Sequence, residues 1–118
     1  MPWLKHFLLA YLTLAGTGFL LAQKPAPNAS APDKAAVERG QALYKRHCAV
    51  CHFDSSAAKK VGPGMKGIYQ RGKFADGKKV DDAGMQAWIE NGGKNMPGFK
   101  TALNPDQLRD LLAYLRTL

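Results

Sequence analysis

The sequence lacks the ligand set of a structural zinc site. It has two cysteines and three histidines in 118 residues, with no second C-x-x-C pair, whereas such a site needs about four ligands. It also lacks the βαβ pattern that accompanies a thioredoxin-like C-x-x-C motif. No stretch alternates apolar and polar residues as a half-buried strand does. These absences favour one small all-α domain and disfavour zinc-binding and thioredoxin-like proteins.

Acidic residues are also scarce. Nine Asp and Glu residues stand against 17 Lys and Arg residues, which gives a formal net charge of +8. Such a surface favours acidic partners or anionic membrane surfaces and steers their approach. The sequence has no compact Lys/Arg run, no recognisable nucleic-acid motif and no aromatic residues interleaved with basic ones. We therefore expect redox or other protein partners with acidic docking faces, and no nucleic acid.

The two cysteines belong to a C-x-x-C-H motif made by Cys48, Cys51 and His52. This spacing is the signature of covalent c-type haem attachment, because two thiols three positions apart reach the two vinyl groups on one side of a porphyrin. The histidine that follows can supply the proximal nitrogen to the iron. The motif predicts one covalent haem c with its iron, and a haem-free thiol–disulfide protein stays open as an alternative.

The N-terminal segment, residues 1–22, has the form of a secretory signal. Lys5 and His6 make a short basic start, and residues 7–22 follow as an apolar stretch without a charge. That stretch is shorter than the about 20 residues of a spanning helix. We predict export to the periplasm, with cleavage after Ala22 left open.

The remaining chain divides into a linker and a domain. Residues 23–34 are rich in Pro, Ala and Ser and predict a flexible linker. Residues 35–118 form the expected domain. If the N-terminal segment is not cleaved, residues 3–22 would associate the protein with the inner membrane.

Apolar periodicity and capping residues predict a small set of helices separated by long irregular segments. The predicted helices run from about Asp33 to Arg46, over a turn at 68–71, from Asp81 or Asp82 to the Asn91-Gly92-Gly93 stop, and from the Asn104 cap through Leu115. Gly40 interrupts the first helix. Because a mid-helix glycine costs about 1 kcal/mol against alanine, we interpret it as a crossing point of two helices.

From Ala35 to Leu118 the sequence resembles a bacterial class I cytochrome c, which carries a single haem. The matching residues are Gly40 and Tyr44, Cys48 to His52, Gly62-Pro63 with Met65 and Gly67, Trp88-Ile89, Asn95 to Phe99, and Leu112 to Leu115. The ordered set is far more specific than the C-x-x-C-H motif. The resemblance implies the small cytochrome c fold, with three to five helices wrapped around the haem and long irregular loops.

The resemblance also implies which residues hold the haem. Cys48 and Cys51 would carry the thioether bonds, and His52 and Met96 would be the axial ligands of the iron. The backbone carbonyl of Pro63 would accept the second ring N–H of His52 and fix its tautomer. Gly40 and Tyr44 belong to the first helix and would cross the last helix near Tyr114.

Further side chains are expected around the haem pocket: Met65, Tyr69, Arg71 and Trp88. Met65 replaces the leucine that the family usually has and would pack on the haem, while the other three would lie near the propionates. Met85 is expected in the core. His47 is expected to be an exposed neighbour of the attachment site and not a ligand.

An iron with both axial positions filled by protein has no open site for substrate, which indicates electron transfer and not an enzyme. The resemblance implies a monomeric, exported one-electron carrier between respiratory-chain or related redox partners. Two alternatives stay open. The chain could be a dedicated c-type subunit of a membrane or periplasmic oxidoreductase, or, with Met96 displaced, its open iron could bind small gases or reduce peroxide.

Overall fold

A computed structural model describes residues 33–118, which contain four helices. They are α1 (Lys34–His47), α2 (Ile68–Arg71), α3 (Asp82–Asn91) and α4 (Pro105–Leu115). Pairing between extended segments in this part of the chain is limited to isolated bridges, Lys73 with Lys79 and Gly93 with Met96. The prediction of an all-α domain with long irregular segments is therefore confirmed.

The predicted signal or anchor at 1–22 and most of the predicted linker at 23–34 lie outside the described residues. Within residues 33–118, every helix is too short or too polar to span a bilayer.

Side-chain caps explain where the helices begin. Asp33 accepts a hydrogen bond from the first turn of α1, and the Asp81 side chain accepts one from Gly84 N at 2.8 Å. Asn104 accepts from Gln107 N at 2.9 Å, and its own N–H donates back to the Gln107 side chain at 3.0 Å. This reciprocal pair satisfies two of the free N–H groups at the start of α4. The three caps were predicted from the sequence, but the part played by Gln107 was not.

Helices α1 and α4 cross at Gly40, as predicted. A Cβ built on Gly40 would overlap the carbonyl of Asp110 and lie 2.8 Å from the Cβ of Tyr114, so any larger residue would push the helices apart. Beside this point the Arg39 guanidinium donates to both carboxylate oxygens of Asp110, at 2.7 and 3.0 Å. Arg39 is largely exposed, so the steric fit at Gly40, more than this ion pair, fixes the crossing.

A pair of tyrosines lies beside the crossing. The rings of Tyr44 and Tyr114 meet edge to face, with centroids 5.5 Å apart and planes 63° apart. The Tyr114 hydroxyl donates to Asp54 at 2.8 Å, which ties the segment after the C-x-x-C-H motif to α4. The Tyr44 hydroxyl is buried and has no hydrogen-bond partner within residues 33–118. The two rings are both buried, but only the Tyr114 hydroxyl has a hydrogen-bond partner within these residues.

A second polar contact joins α2, α3 and the end of α4. The Asp82 carboxylate accepts from the Tyr69 hydroxyl at 3.0 Å and from Arg116 Nε at 2.9 Å. The Arg116 guanidinium is the main cause that holds the pKa of Asp82 below its usual range. The core contains the two tyrosines together with Ile68, Met85, Ile89, Leu108, Leu111, Leu112 and Leu115. The expectation that Met85 is a core residue is confirmed, since its side chain is 2% exposed.

The tyrosine pair generates a stability prediction. Tyr44→Phe should lower the free energy of unfolding less than Tyr114→Phe does, because no residue of 33–118 bonds the Tyr44 hydroxyl. Tyr114→Phe should lower this free energy by about 1 kcal/mol through loss of the bond to Asp54. Denaturant unfolding of both variants beside the wild type measures this. An equal loss of unfolding free energy in the two variants would contradict the claim that only the Tyr114 hydroxyl makes a stabilising hydrogen bond.

Candidate functional site

Two adjoining cavities lie between the helices and the irregular segments. The core-side cavity, about 330 Å³, is bordered by buried residues of α1, α3 and α4 such as Tyr44, Ile89 and Leu115. The surface-side cavity, about 460 Å³, is bordered by exposed residues such as Val50 and Val61. Both volumes fall in the range of ligand sites. The cavities share the lining residues Cys48, His52, Pro63, Ala75 and Met96.

The walls of the core-side cavity are apolar except at one part. Ile68, Met85, Trp88 and other hydrophobic side chains line most of it, and its charged lining residues are Arg71 and Lys73. Such a lining suits a flat apolar group that carries anionic substituents at one edge. Sequence reasoning missed Lys73, because nothing in its local pattern separates it from the many other lysines.

The C-x-x-C-H motif continues from the end of α1 as a compact turn. Cys48 N donates to Tyr44 O at 2.8 Å, and the N–H groups of Cys51 and His52 both return to Cys48 O, at 3.0 and 2.9 Å. The two cysteines are half-buried free thiols that border the surface-side cavity. Because α1 is fixed on α4 at Gly40, this turn presents both sulfurs and the imidazole to one space.

Burial raises the pKa of the Cys48 thiol to about 11, with the neighbouring Cys51 adding to the rise. The reactive cysteine of a thiol–disulfide C-x-x-C motif has its pKa lowered instead. The environment of Cys48 therefore disfavours the haem-free thiol–disulfide alternative.

The His52 imidazole is fixed on two sides. Its Nδ1 lies 2.7 Å from Pro63 O, and since a carbonyl can only accept, Nδ1 carries the proton and donates. A Cβ built on Gly62 would lie 2.8 Å from Nδ1 and overlap Cε1, so this residue must be glycine for the ring to occupy its position. Nε2 is left with a free lone pair, the state in which an imidazole binds a metal ion.

Met96 lines both cavities from a loop that follows α3. Gly93 N donates to Met96 O at 2.9 Å, and Phe99 N donates to Ile89 O at 2.9 Å. Gly92 ends α3 with a positive φ of 70°. A Cβ there would overlap Met96 O and lie 2.7 Å from the carbonyl carbon of Pro97. The loop is thus seated directly on the end of α3.

The other predicted pocket residues divide into two groups. Met65, Arg71 and Trp88 line the core-side cavity, where Trp88 stacks on Phe74 with centroids 5.5 Å apart. Arg71 also donates to Gly64 O at 2.7 Å. Tyr69 is not among the residues that line the described cavities, and its hydroxyl bonds to Asp82 instead.

The expectation of an exposed His47 is wrong. Its side chain is half-buried, lines the surface-side cavity and meets Phe99 edge to face, with centroids 6.0 Å apart. His47 and Phe99 are 52 positions apart, and nothing in either local pattern signals the contact.

Lys60 is a further residue that sequence reasoning missed, since its local pattern is that of any surface lysine. Its ammonium donates to Ala49 O at 2.7 Å and lies 5.3 Å from the centroid of the Phe53 ring. Ala49 lies between the two cysteines, so this bond ties Lys60 to the turn that carries Cys48, Cys51 and His52.

Comparison with known proteins gives consistent matches. Residues 35–115 match the family described as cytochrome c oxidase, cbb3-type, subunit III. The chain is 32% identical to a cytochrome c-553-like protein of a Synechocystis species over 85 residues, 72% of this chain and 71% of the relative. It is 30% identical to a cytochrome c2 of Rhodopila globiformis over 105 residues, 75% of this chain and 98% of the relative. A cytochrome c2 of Agrobacterium tumefaciens is 33% identical over 99 residues, 67% and 88% of the two chains.

The close contact between Gly92 and the backbone of the Met96 loop generates a stability prediction. Gly92→Ala should lower the free energy of unfolding more than Gly72→Ala. Gly92 combines a φ of 70° with a ψ of −162°, a region open essentially to glycine alone, and a Cβ there would meet the Met96 loop. Gly72 has φ 69° and ψ 0°, and a Cβ there would meet nothing within 4 Å. The control therefore carries only the cost of the left-handed backbone, about 1–2 kcal/mol. Denaturant unfolding of the two variants measures the difference, and equal losses would mean that the loop shifts away freely.

Proposed function

The chain belongs to the class I cytochromes c with a single haem, and we propose that it is an exported, monomeric one-electron carrier whose iron is held by His52 and Met96. Membership of this family makes it a haem-containing electron carrier and not an enzyme. The ligand pair, the compartment and the partners are the parts that we propose. The signal-like segment at 1–22 supports export.

Haem c, bound covalently, is the cofactor that this family implies, and the residues present fit it. Cys48 and Cys51 are free thiols at the edge of one cavity, where they would hold the group. The apolar walls of the core-side cavity would cover its faces, and Arg71 and Lys73 would lie near its anionic substituents. When bound, the haem supplies an iron that accepts and gives one electron.

The observation that carries the ligand proposal is the state of His52. Its Nδ1–H is committed to Pro63 O at 2.7 Å, so Nε2 has a free lone pair within the cavity lining. Met96 borders the same two cavities, and a His/Met pair is the ligation of cytochromes c. The His52 ring is held by Pro63 O, and the Met96 backbone is held by its hydrogen bonds with Gly93 at the end of α3.

Two protein ligands leave the iron without an open site, which favours electron transfer over catalysis. Methionine ligation also raises the reduction potential in cytochromes c. The role of this chain is then to bind the haem, exclude water through its apolar walls, and present one edge to redox partners.

The ligand proposal is tested by visible absorption of the haem-loaded protein. Ferric wild type should show the weak red-region band of methionine–iron ligation, and Met96→Ala should lose it. Met65→Leu is the matched control, because Met65 lines the core-side cavity too, and it should keep the band. Loss of the band in the Met65 variant alone would assign the ligand to Met65. A high-spin wild type would favour the open-iron alternative.

The mouth of the surface-side cavity has the features of a docking surface. Val50 is 71% exposed and Val61 64% exposed, and both border the cavity beside Lys59. No acidic residue is among its lining residues in the described part of the chain. An apolar centre with a positive edge fits a partner with an apolar patch and an acidic edge, whose approach would be steered by charge.

Lys59 and Lys60 are not equivalent in this surface. Lys60 is committed to Ala49 O, whereas Lys59 lines the cavity mouth. Lys59 is therefore the lysine of this pair that a partner would meet.

Lys59→Glu should slow oxidation of the ferrous protein by ferricyanide severalfold at low salt, and should speed its oxidation by a cationic cobalt complex. The matched control is Lys34→Glu, which makes the same charge change at the start of α1, a helix about 20 Å long whose other end leads into the C-x-x-C-H turn. Stopped-flow rates at several ionic strengths measure the effect. Equal rates for the two variants would place the docking surface elsewhere.

The matched family favours one second candidate. Because its description names a subunit of an oxidase, the chain could serve one membrane or periplasmic oxidoreductase as a dedicated c-type subunit. Purification in a fixed stoichiometric ratio with such an enzyme would distinguish this candidate from a diffusing carrier.

A further inference from the structure

The two proposed axial ligands belong to segments that are anchored separately. His52 follows α1 and is held by Pro63 and Gly62. The loop at 93–100 that carries Met96 is anchored to α3 by two hydrogen bonds. Phe99 N donates to Ile89 O at 2.9 Å, and Lys100 N donates to Glu90 O at 3.2 Å. Within residues 33–118 no hydrogen bond joins this loop to residues 47–53.

One side-chain contact does join the two segments. His47, the last residue of α1 and the neighbour of Cys48, meets the Phe99 ring edge to face at a centroid distance of 6.0 Å. Both side chains line the surface-side cavity, together with His52 and Met96. The contact therefore joins the C-terminal end of α1 to the Met96 loop beside the cavity that His52 and Met96 line.

We propose that His47 is a positioning residue that holds the Met96 loop closed over the cavity through its ring contact with Phe99. This inference rests on the proposed ligation by His52 and Met96. It goes further by naming a contact that restrains the Met96 loop in addition to its hydrogen bonds to α3.

The placement of both residues supports this role. In the last turn of α1, Lys45 and Arg46 are exposed, while His47 is half-buried against the cavity. The Phe99 ring packs against the core, and its carbonyl accepts from the N–H groups of Ala102 and Leu103 at 3.0 Å each. Phe99 is thus anchored to α3 and the core, and its contact with His47 ties the end of α1 to the loop that carries Met96, whose residues 94, 95, 97 and 98 are exposed.

Added imidazole competes with the methionine for ferric iron, so its affinity reports how readily the Met96 loop opens. An edge-to-face ring contact changes an equilibrium by about twofold to tenfold. His47→Ala should therefore bind imidazole about twofold to tenfold more tightly than the wild type, as measured by absorbance titration of the haem-loaded protein. His47→Phe, which keeps a ring, should bind it with nearly wild-type affinity. Arg46→Ala, an exposed neighbour, should also be unchanged.

A double-mutant cycle isolates the contact between His47 and Phe99. In Phe99→Leu, which keeps an apolar side chain in the core, the further change His47→Ala should have no effect on imidazole affinity. Thermal unfolding of each variant shows that the domain is folded at the titration temperature.

Several results would overturn the inference. One is an unchanged affinity in His47→Ala while the wild type keeps its red-region band, a result that leaves the proposed function intact. Equal increases in His47→Ala and His47→Phe would also overturn it, because the ring would not matter. So would a full effect of His47→Ala in the Phe99→Leu background. A wild type without the band would instead overturn the proposed ligation.

Discussion

The close approach of α1 to α4 at Gly40 is the constraint on which the rest of the structure depends. Since no Cβ fits between Gly40 and the Asp110 carbonyl, the two helices cross at a fixed depth. The C-terminal end of α1 then leads without interruption into the turn of Cys48 and His52. The position of the cofactor-binding turn is in this way set by a steric contact about two helical turns away.

The irregular segments depend on that turn in their own way. Gly62 N donates to Cys51 O at 2.8 Å, Met65 N donates to Phe53 O at 2.7 Å, and Pro63 O receives His52. These bonds pair the backbone of two non-helical segments around the imidazole. A small domain buries a limited apolar core of its own, so a bound haem would supply further apolar surface against which these segments could pack.

The sequence was most informative where the signal is local. Helix caps such as Asp33 and Asn104, and the spacing of Cys48 and Cys51, are governed by residues a few positions apart, and the helices were predicted with nearly their observed bounds. Contacts that depend on the path of a loop were not predictable, such as His47 with Phe99. A lysine that bonds a backbone carbonyl has the same sequence pattern as one in solvent.

The position of the Lys60 ammonium bears on the reduction potential of the haem iron. The ammonium is held 2.7 Å from Ala49 O, which lies between the two cysteines, and would be a positive charge close to a haem bound there. Oxidation adds one positive charge to the iron centre, which a nearby fixed cation opposes. In the proposed haem-loaded protein Lys60 would favour the ferrous form, while Lys59, at the cavity mouth, would act on the encounter with a partner.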